Sequence, residues 1–196
     1  MTKSLATRHT ILEKAFDLIY TKGYQATSID EIIATTKVTK GAFYYHFKTK
    51  DEMGLAVIKE IVQPTMQGGF IQLLQDAKNP AREIYDVIKT LLFDNPFLKL
   101  EYGCPAGNLA QEMTPWNIAF GKALSALILE CQLTIESCIK KGKINGTIRK
   151  NVNTQQASYF IMSGYWGIRN FGKVYNSSDC YHAYLKELKI YLNNLG

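Results

Sequence analysis

Residues 39–50 read Thr39-Lys40-Gly41-Ala42-Phe43-Tyr44-Tyr45-His46-Phe47-Lys48-Thr49-Lys50, a short run crowded with cations, rings and hydroxyls. Lys40 and Tyr44 stand four apart, so on a helix they project from one side. A lysine in that place donates to guanine O6 and N7 or to a phosphate, and a tyrosine offers its ring to a thymine methyl or its hydroxyl to a phosphate. Gly41 and Ala42 remove bulk, which lets the backbone approach a duplex. Tyr45, His46 and Lys50 fall where the chain would leave the groove, better placed for phosphates than for bases. Ser28, at the start of the preceding helix, would present its backbone N–H to a phosphate. The competing reading is a structural hairpin with an exposed aromatic patch, and it gives these side chains nothing to do.

Such chemistry needs short helices held in register, and the preceding residues encode them. Leu5, Leu12, Phe16 and Ile19, with Ala15, form an apolar stripe at helical spacing, and Gly23 is a stop signal. Ser28 and Glu31 spell a capping box for a second helix that turns Ile29, Ile32 and Ile33 inward. It ends near Thr35-Thr36-Lys37, with Val38 plugging the turn. Thr39 is a suitable N-cap for the third helix, which buries Phe43 and closes on Phe47. Thr49 and Glu52 make a second capping box for a long fourth helix. Helix, tight turn and helix form the helix-turn-helix arrangement.

Residues 28–47, with Gly23 to Ser28 before them and Lys48-Thr49-Lys50-Asp51-Glu52-Met53 after, resemble the DNA-binding segment of the TetR family of repressors. The likeness runs over about residues 7–60, and Gly41-x-x-Tyr44-Tyr45-His46-Phe47-x-x-Lys50 carries its specificity. It implies base contacts at Lys40 and Tyr44, and phosphate contacts at Ser28, Thr39, Tyr45, His46 and Lys50. Lys37 departs from the pattern, because the family usually has glycine before the valine; either lysine tolerates the turn or the turn differs.

Beyond Lys50 the sequence keeps reading as helices, without strand alternation or internal repeat. Gln63-Pro64 would kink or end the fourth helix, Gly68-Gly69 is a candidate bend, and Asn79-Pro80 is a start signal. Pro115-Trp116 opens a long segment that Gly142 would stop. Thr154 and Ser178-Asp179 are candidate caps for the last two helices. The expected fold is all-α with about nine helices: an N-terminal three-helix DNA-binding domain at 1–50, and a larger helical effector-binding and dimerisation domain at 51–196.

Two features of the second part bear on function. Gly103-Cys104-x-x-Gly107-Asn108-Leu109 resembles a segment of the TetR subgroup that includes the N-ethylmaleimide-responsive repressor, whose matching cysteine senses electrophiles and oxidants. With no Lys, Arg or His within two residues of Cys104, the alternative is a small buried hydrophobe. An effector pocket is usually apolar with a few polar fixtures, and Trp116, Phe120 and Trp166 are the candidate lining beside Cys104, set against plain core. Gly164, Gly167 and Gly172 each cost about 1 kcal/mol in a helix, which close helix–helix approach would explain. The resemblance implies that the last two helices form a four-helix dimer interface. One short recognition helix also makes too few contacts alone, so two half-sites about one helical turn apart are needed.

Composition narrows the classes further. With 46% apolar residues the chain is a folded protein. Its net charge is +6, and residues 1–50 hold eight Lys/Arg against four Asp/Glu, so the positive charge is concentrated there. The first residues lack the apolar run of a secretion signal, and the most apolar stretch, Ala123 to Leu129, is far shorter than a membrane span. A cytoplasmic protein follows, with its four cysteines as free thiols. No enzyme motif, metal-ligand cluster or cofactor loop is present in the sequence. The reading is a sequence-specific repressor of double-stranded operator DNA, released by a small apolar or electrophilic effector. A TetR-like activator and a non-specific architectural DNA binder are the alternatives.

Overall fold

A computed structural model describes residues 2–196, and among these residues there are nine helices and no strand. They are α1 (Lys3–Lys22), α2 (Ile29–Thr35), α3 (Lys40–His46), α4 (50–75), α5 (Pro80–Phe93), α6 (Pro105–Met113), α7 (Ile118–Asn145), α8 (Thr154–Tyr175) and α9 (Asp179–Asn193). Packing divides the chain into two compact units: residues up to Pro64 with Pro105–Ser125, and Thr65–Cys104 with Ala126–Gly196.

In the first unit α1 packs on α2, α3 and the start of α4. Its stripe starts later than expected. Ile11, Leu12, Ala15, Phe16 and Ile19 are buried, but Leu5 is 55% exposed because the first turns of α1 project past the core. Ile32, Phe43 and Phe47 complete the core of the three helices, each contributing roughly 1.5–3 kcal/mol by leaving water.

The helix termini follow side-chain chemistry closely. Gly23 ends α1 at φ 98°, a conformation that favours glycine. Ser28 and Glu31 form the full reciprocal capping box, and the Thr39 hydroxyl accepts the Ala42 N–H. At Thr49 only half the expected box forms: its hydroxyl accepts Glu52 N–H, while the Glu52 carboxylate takes the N–H of Lys48. Lys37 stays outside the left-handed region, so this turn does not require a glycine there.

Pro64 does not end α4. The backbone stays helical through it, with π-turns at Ile58–Val62 and Gln67–Ile71 on either side; the wider rings absorb the missing proline N–H and the ring's bulk. The Gly68-Gly69 bend is therefore a π-turn. Asn79 caps α5 with Pro80 in the first turn. Gly142 does not stop α7, which continues to Asn145; a side chain at 142 would collide with Ile148 and Pro80. Asn153, one residue before the expected Thr154, caps α8, and at α9 Ser177 rather than Ser178 accepts the Asp179 N–H.

The second unit is built around Ile84, Ile88 and Leu91 of α5, Ile135 and Ile139 of α7, Ile161 and Tyr165 of α8, and Leu185 and Leu188 of α9. Two of the three glycines of α8 serve packing within the chain: a Cβ at Gly164 would stand 2.8 Å from the Tyr184 ring, and one at Gly172 would stand 2.5 Å from that of Tyr181. Gly167 has nothing within 4 Å. With 28 residues, α7 is long and apolar enough to cross a membrane, unlike the short stretch expected from the sequence. However, Phe120, Leu124, Leu127, Cys131, Ile135 and Cys138 are buried at helical spacing along it, the pattern of a core helix.

Candidate nucleic-acid interface

The surface of α3 follows from which of its residues the core claims. Phe43 is fully buried, and its ring meets that of Tyr44 edge-on at 5.5 Å. This contact steers Tyr44 outward, where it is 38% exposed, and Tyr45 is 72% exposed. Lys40 and Gly41 are exposed, with Ala42 half-buried beneath them. No atom lies within 4 Å of where a Gly41 side chain would sit, so the flank of the helix is open to a partner. Thus Thr39, Lys40, Gly41, Tyr44 and Tyr45 share the outer surface of one short helix.

Its cations are held loosely. Lys40 Nζ lies 3.2 Å from Asp30 Oδ1 with both groups largely in solvent, a pair worth about 0–1 kcal/mol and readily exchanged for an anion. Lys48 Nζ donates to the Tyr44 carbonyl at 3.1 Å. His46 is half-buried, with its ring edge-on to Tyr45 at 5.0 Å.

Lys50 and Ser28 differ from expectation. Lys50 Nζ sits 4.3 Å from the centre of the Tyr24 ring and donates to the Gln25 carbonyl at 3.4 Å. Desolvation lowers its pKa against the opposing pull of Glu112 and Asp51. A phosphate would have to draw it off this perch. The Ser28 N–H, expected to face a phosphate, instead donates to Glu31 Oε2 at 2.9 Å, because the capping box consumes it.

Three residues whose roles sequence reasoning missed, Arg8, Glu112 and Asp51, hold this surface in place. The Arg8 guanidinium lies 4.3 Å above the Phe47 ring, donates to the His46 carbonyl and pairs with Glu60 at 2.6 Å. It clamps the end of α3 to α1 and α4. Glu112 of α6 accepts the N–H groups of Tyr24 and Gln25 at 2.8 and 2.6 Å. Asp51 accepts from the Tyr24 hydroxyl at 2.5 Å and from Asn117 Nδ2 at 2.9 Å. Nothing in local spacing marks a contact spanning 88 residues.

The family profile described as "Bacterial regulatory proteins, tetR family" matches residues 11–57, and "Tetracyclin repressor-like, C-terminal domain" matches residues 82–188. The chain belongs to the TetR family. It is a helix-turn-helix transcriptional regulator, and regulators of this family bind operator DNA, are typically repressors with small-molecule effectors, and act as dimers. It is 35% identical over 129 residues to an uncharacterized HTH-type transcriptional regulator in the lacX 3' region of Lactococcus lactis, an alignment covering 66% of each chain. It is 26% identical to the HTH-type transcriptional repressor DhaR of a Mycobacterium species, over 82% of this chain and 79% of that one. A TetR-family regulator from Cytophaga hutchinsonii shares its fold, with TM-score 0.89, 19% identity and coverage of 100% of this chain and 97% of that chain. The subgroup resemblance is more distant: reduced E. coli NemR has TM-score 0.81 and 19% identity, covering 96% of each chain, a likeness of fold alone.

The residues expected to line an effector pocket separate into two groups. Cys104 and Trp166 meet in the second unit, where the indole Nε1–H donates to the Cys104 sulfur at 3.2 Å. In the first unit, Phe120 is fully buried 5.0 Å from the Tyr24 ring, while Trp116 is 73% exposed. An aromatic near a helix start reads the same in sequence whether it packs inward or faces solvent. All four cysteines are free, and burial pushes the thiols of Cys131 and Cys138 up to about 12.

Proposed function

We propose that this TetR-family regulator is a cytoplasmic homodimeric repressor that occupies an operator through α3 and releases it when a small molecule binds the helical part beyond residue 50. The observation that carries the reading is the outer surface of α3, where Lys40, Gly41, Tyr44 and Tyr45 stand exposed on a helix whose other side is locked into the core. Lys40 and Tyr44 read base edges; Thr39, Tyr45 and His46 contact phosphates, with Ser28 and Lys50 joining after they leave Glu31 and Tyr24. Phe160, Phe171, Val174 and Tyr175 of α8 and Ile190 of α9 are all more than half exposed, an apolar surface that supports dimerisation through the last two helices. Open space at Gly167 would let two such helices approach closely. Cys104 and Trp166 are the effector-site residues, and the effector acts only through its differential affinity for the two states.

Footprinting of the full-length protein on the DNA upstream of its own gene tests this. Protection of two related half-sites about one helical turn apart is expected, and transcription from that promoter should rise when the gene is deleted. Uniform coating without preferred sites would mean an architectural binder, and a fall in transcription on deletion would mean an activator.

A further inference from the structure

Arg169, in the middle of α8, has a fully buried side chain. Arginine keeps its charge at any pH a protein meets, so α8 carries a permanent cation in its core. The guanidinium is only partly satisfied. Nη2 donates to the carbonyls of Lys99 and Gly103 at 2.9 and 2.6 Å. Nε and Nη1, which carry three of the five guanidinium N–H bonds, have no acceptor within the protein. No carboxylate forms an ion pair with it among the described residues.

A second buried polar atom stands close by. The Tyr181 hydroxyl has no hydrogen-bond partner within the protein, and the Arg169 guanidinium carbon lies 5.9 Å from the centre of its ring. The surroundings are apolar: the Phe93 ring meets Tyr181 edge-on at 5.9 Å, and Tyr165 and Leu98 are buried in the same core. The 99–104 turn is shaped to this arginine. Gly103 has φ 71°, a conformation favouring glycine, and its carbonyl is the nearer acceptor. The following residue, Cys104, takes the indole N–H of Trp166, one turn before Arg169 on α8.

A lone buried charge is costly unless something of opposite sign meets it. We infer that Arg169 and Tyr181 form the polar end of an effector site for a small organic monocarboxylate with an apolar body. One negative charge matches the one committed cation. A carboxylate can accept from Nη1 with one oxygen and from the phenol with the other, and the rings beside them suit a hydrocarbon or aromatic remainder. This rests on the proposed reading as an effector-released repressor and specifies the chemistry of its ligand.

The test uses the full-length dimer with benzoate and propionate as probes, and benzamide and propionamide as neutral counterparts of similar shape. The carboxylates should raise the melting temperature and weaken operator binding at least tenfold, and the amides should do neither. In Arg169→Met the carboxylate response should vanish while the protein still binds its operator. Carboxylates acting no differently from amides would overturn the inference, as would an undiminished response in Arg169→Met. Should Arg169→Met fail to fold, Tyr181→Phe decides: a several-fold weaker response supports the site, and an unchanged one refutes it. Loss of operator binding by the wild-type protein would instead sink the repressor reading itself.

Discussion

Glu112 Oε2 accepts the backbone N–H of Tyr24 at 2.8 Å, and Oε1 takes the N–H of Gln25 at 2.6 Å. A carboxylate on α6 therefore organises the turn between α1 and α2, and Gly23 leaves room for it: a side chain there would stand 3.2 Å from Oε1. Hydrogen bonds to a charged group contribute about 1.5–3 kcal/mol. Glu112→Gln, whose amide nitrogen would face an N–H, should lose stability of that order in urea unfolding and weaken operator binding in fluorescence anisotropy. Unchanged unfolding would mean the turn is held by packing alone.

Lys40 and Lys50 are expected to fail differently. Lys40→Ala should lose about 1–3 kcal/mol on the cognate operator and little on scrambled DNA, as for a base contact. Lys50→Met should weaken both DNAs alike and lower the salt slope by about 1. Titrations at several salt concentrations separate the two, and an equal loss on both DNAs for Lys40→Ala would reassign it to phosphate.

Acid should undo the α2 cap. The hydrogen bond from Lys22, followed by those from Ser28, lowers the Glu31 pKa from 4.5 to about 2. A carboxyl with a depressed folded-state pKa contributes stability above its ordinary pKa and loses it as pH falls toward the folded value. The advantage of wild type over Glu31→Gln should be complete at neutral pH and fade between about 4.5 and 2. Ser28→Ala at neutral pH should cost about 1 kcal/mol. An advantage that persists at pH 2 would disprove the linkage.

Two glycines of one helix predict opposite phenotypes. Gly172→Ala drives a methyl into Tyr181 and should destabilise the fold by roughly 1–3 kcal/mol. Gly167→Ala meets nothing within the chain, so it should leave unfolding unchanged or improve it by up to about 1 kcal/mol. If α8 packs across the dimer, the same methyl should weaken association in sedimentation equilibrium. A Gly167→Ala dimer as tight as wild type would move the interface elsewhere.

Thiol labelling tests the electrophile-sensing role of Cys104. Cys131 and Cys138, buried and raised to about 12, should resist N-ethylmaleimide in the native protein, and half-buried Cys180 should react first. A sensing Cys104 must outpace Cys131. Equal rates, read by mass spectrometry, would remove the role.

What could be read along the chain was whatever local chemistry specifies. Ser28 with Glu31, Thr39 with Ala42 and Asn79 before Pro80 set helix starts because a cap satisfies backbone N–H groups two or three residues away. The exposed set on α3 was legible in part: a buried Phe43 turns its neighbour Tyr44 to another side, whereas Lys40, three residues before Phe43 and so beside it, is left in solvent by the tertiary packing. Tertiary structure decided everything that depends on distant partners. Whether Pro64 would break α4 or be absorbed by π-turns, and whether Phe120 would line a pocket or pack on Tyr24, depended on contacts from elsewhere in the chain. Most of all, spacing could not show that Glu112 would hold the α1–α2 turn or that Arg169 would be buried beside the carbonyl of Gly103. Local propensity reaches only a few residues, and burial is set when remote segments meet.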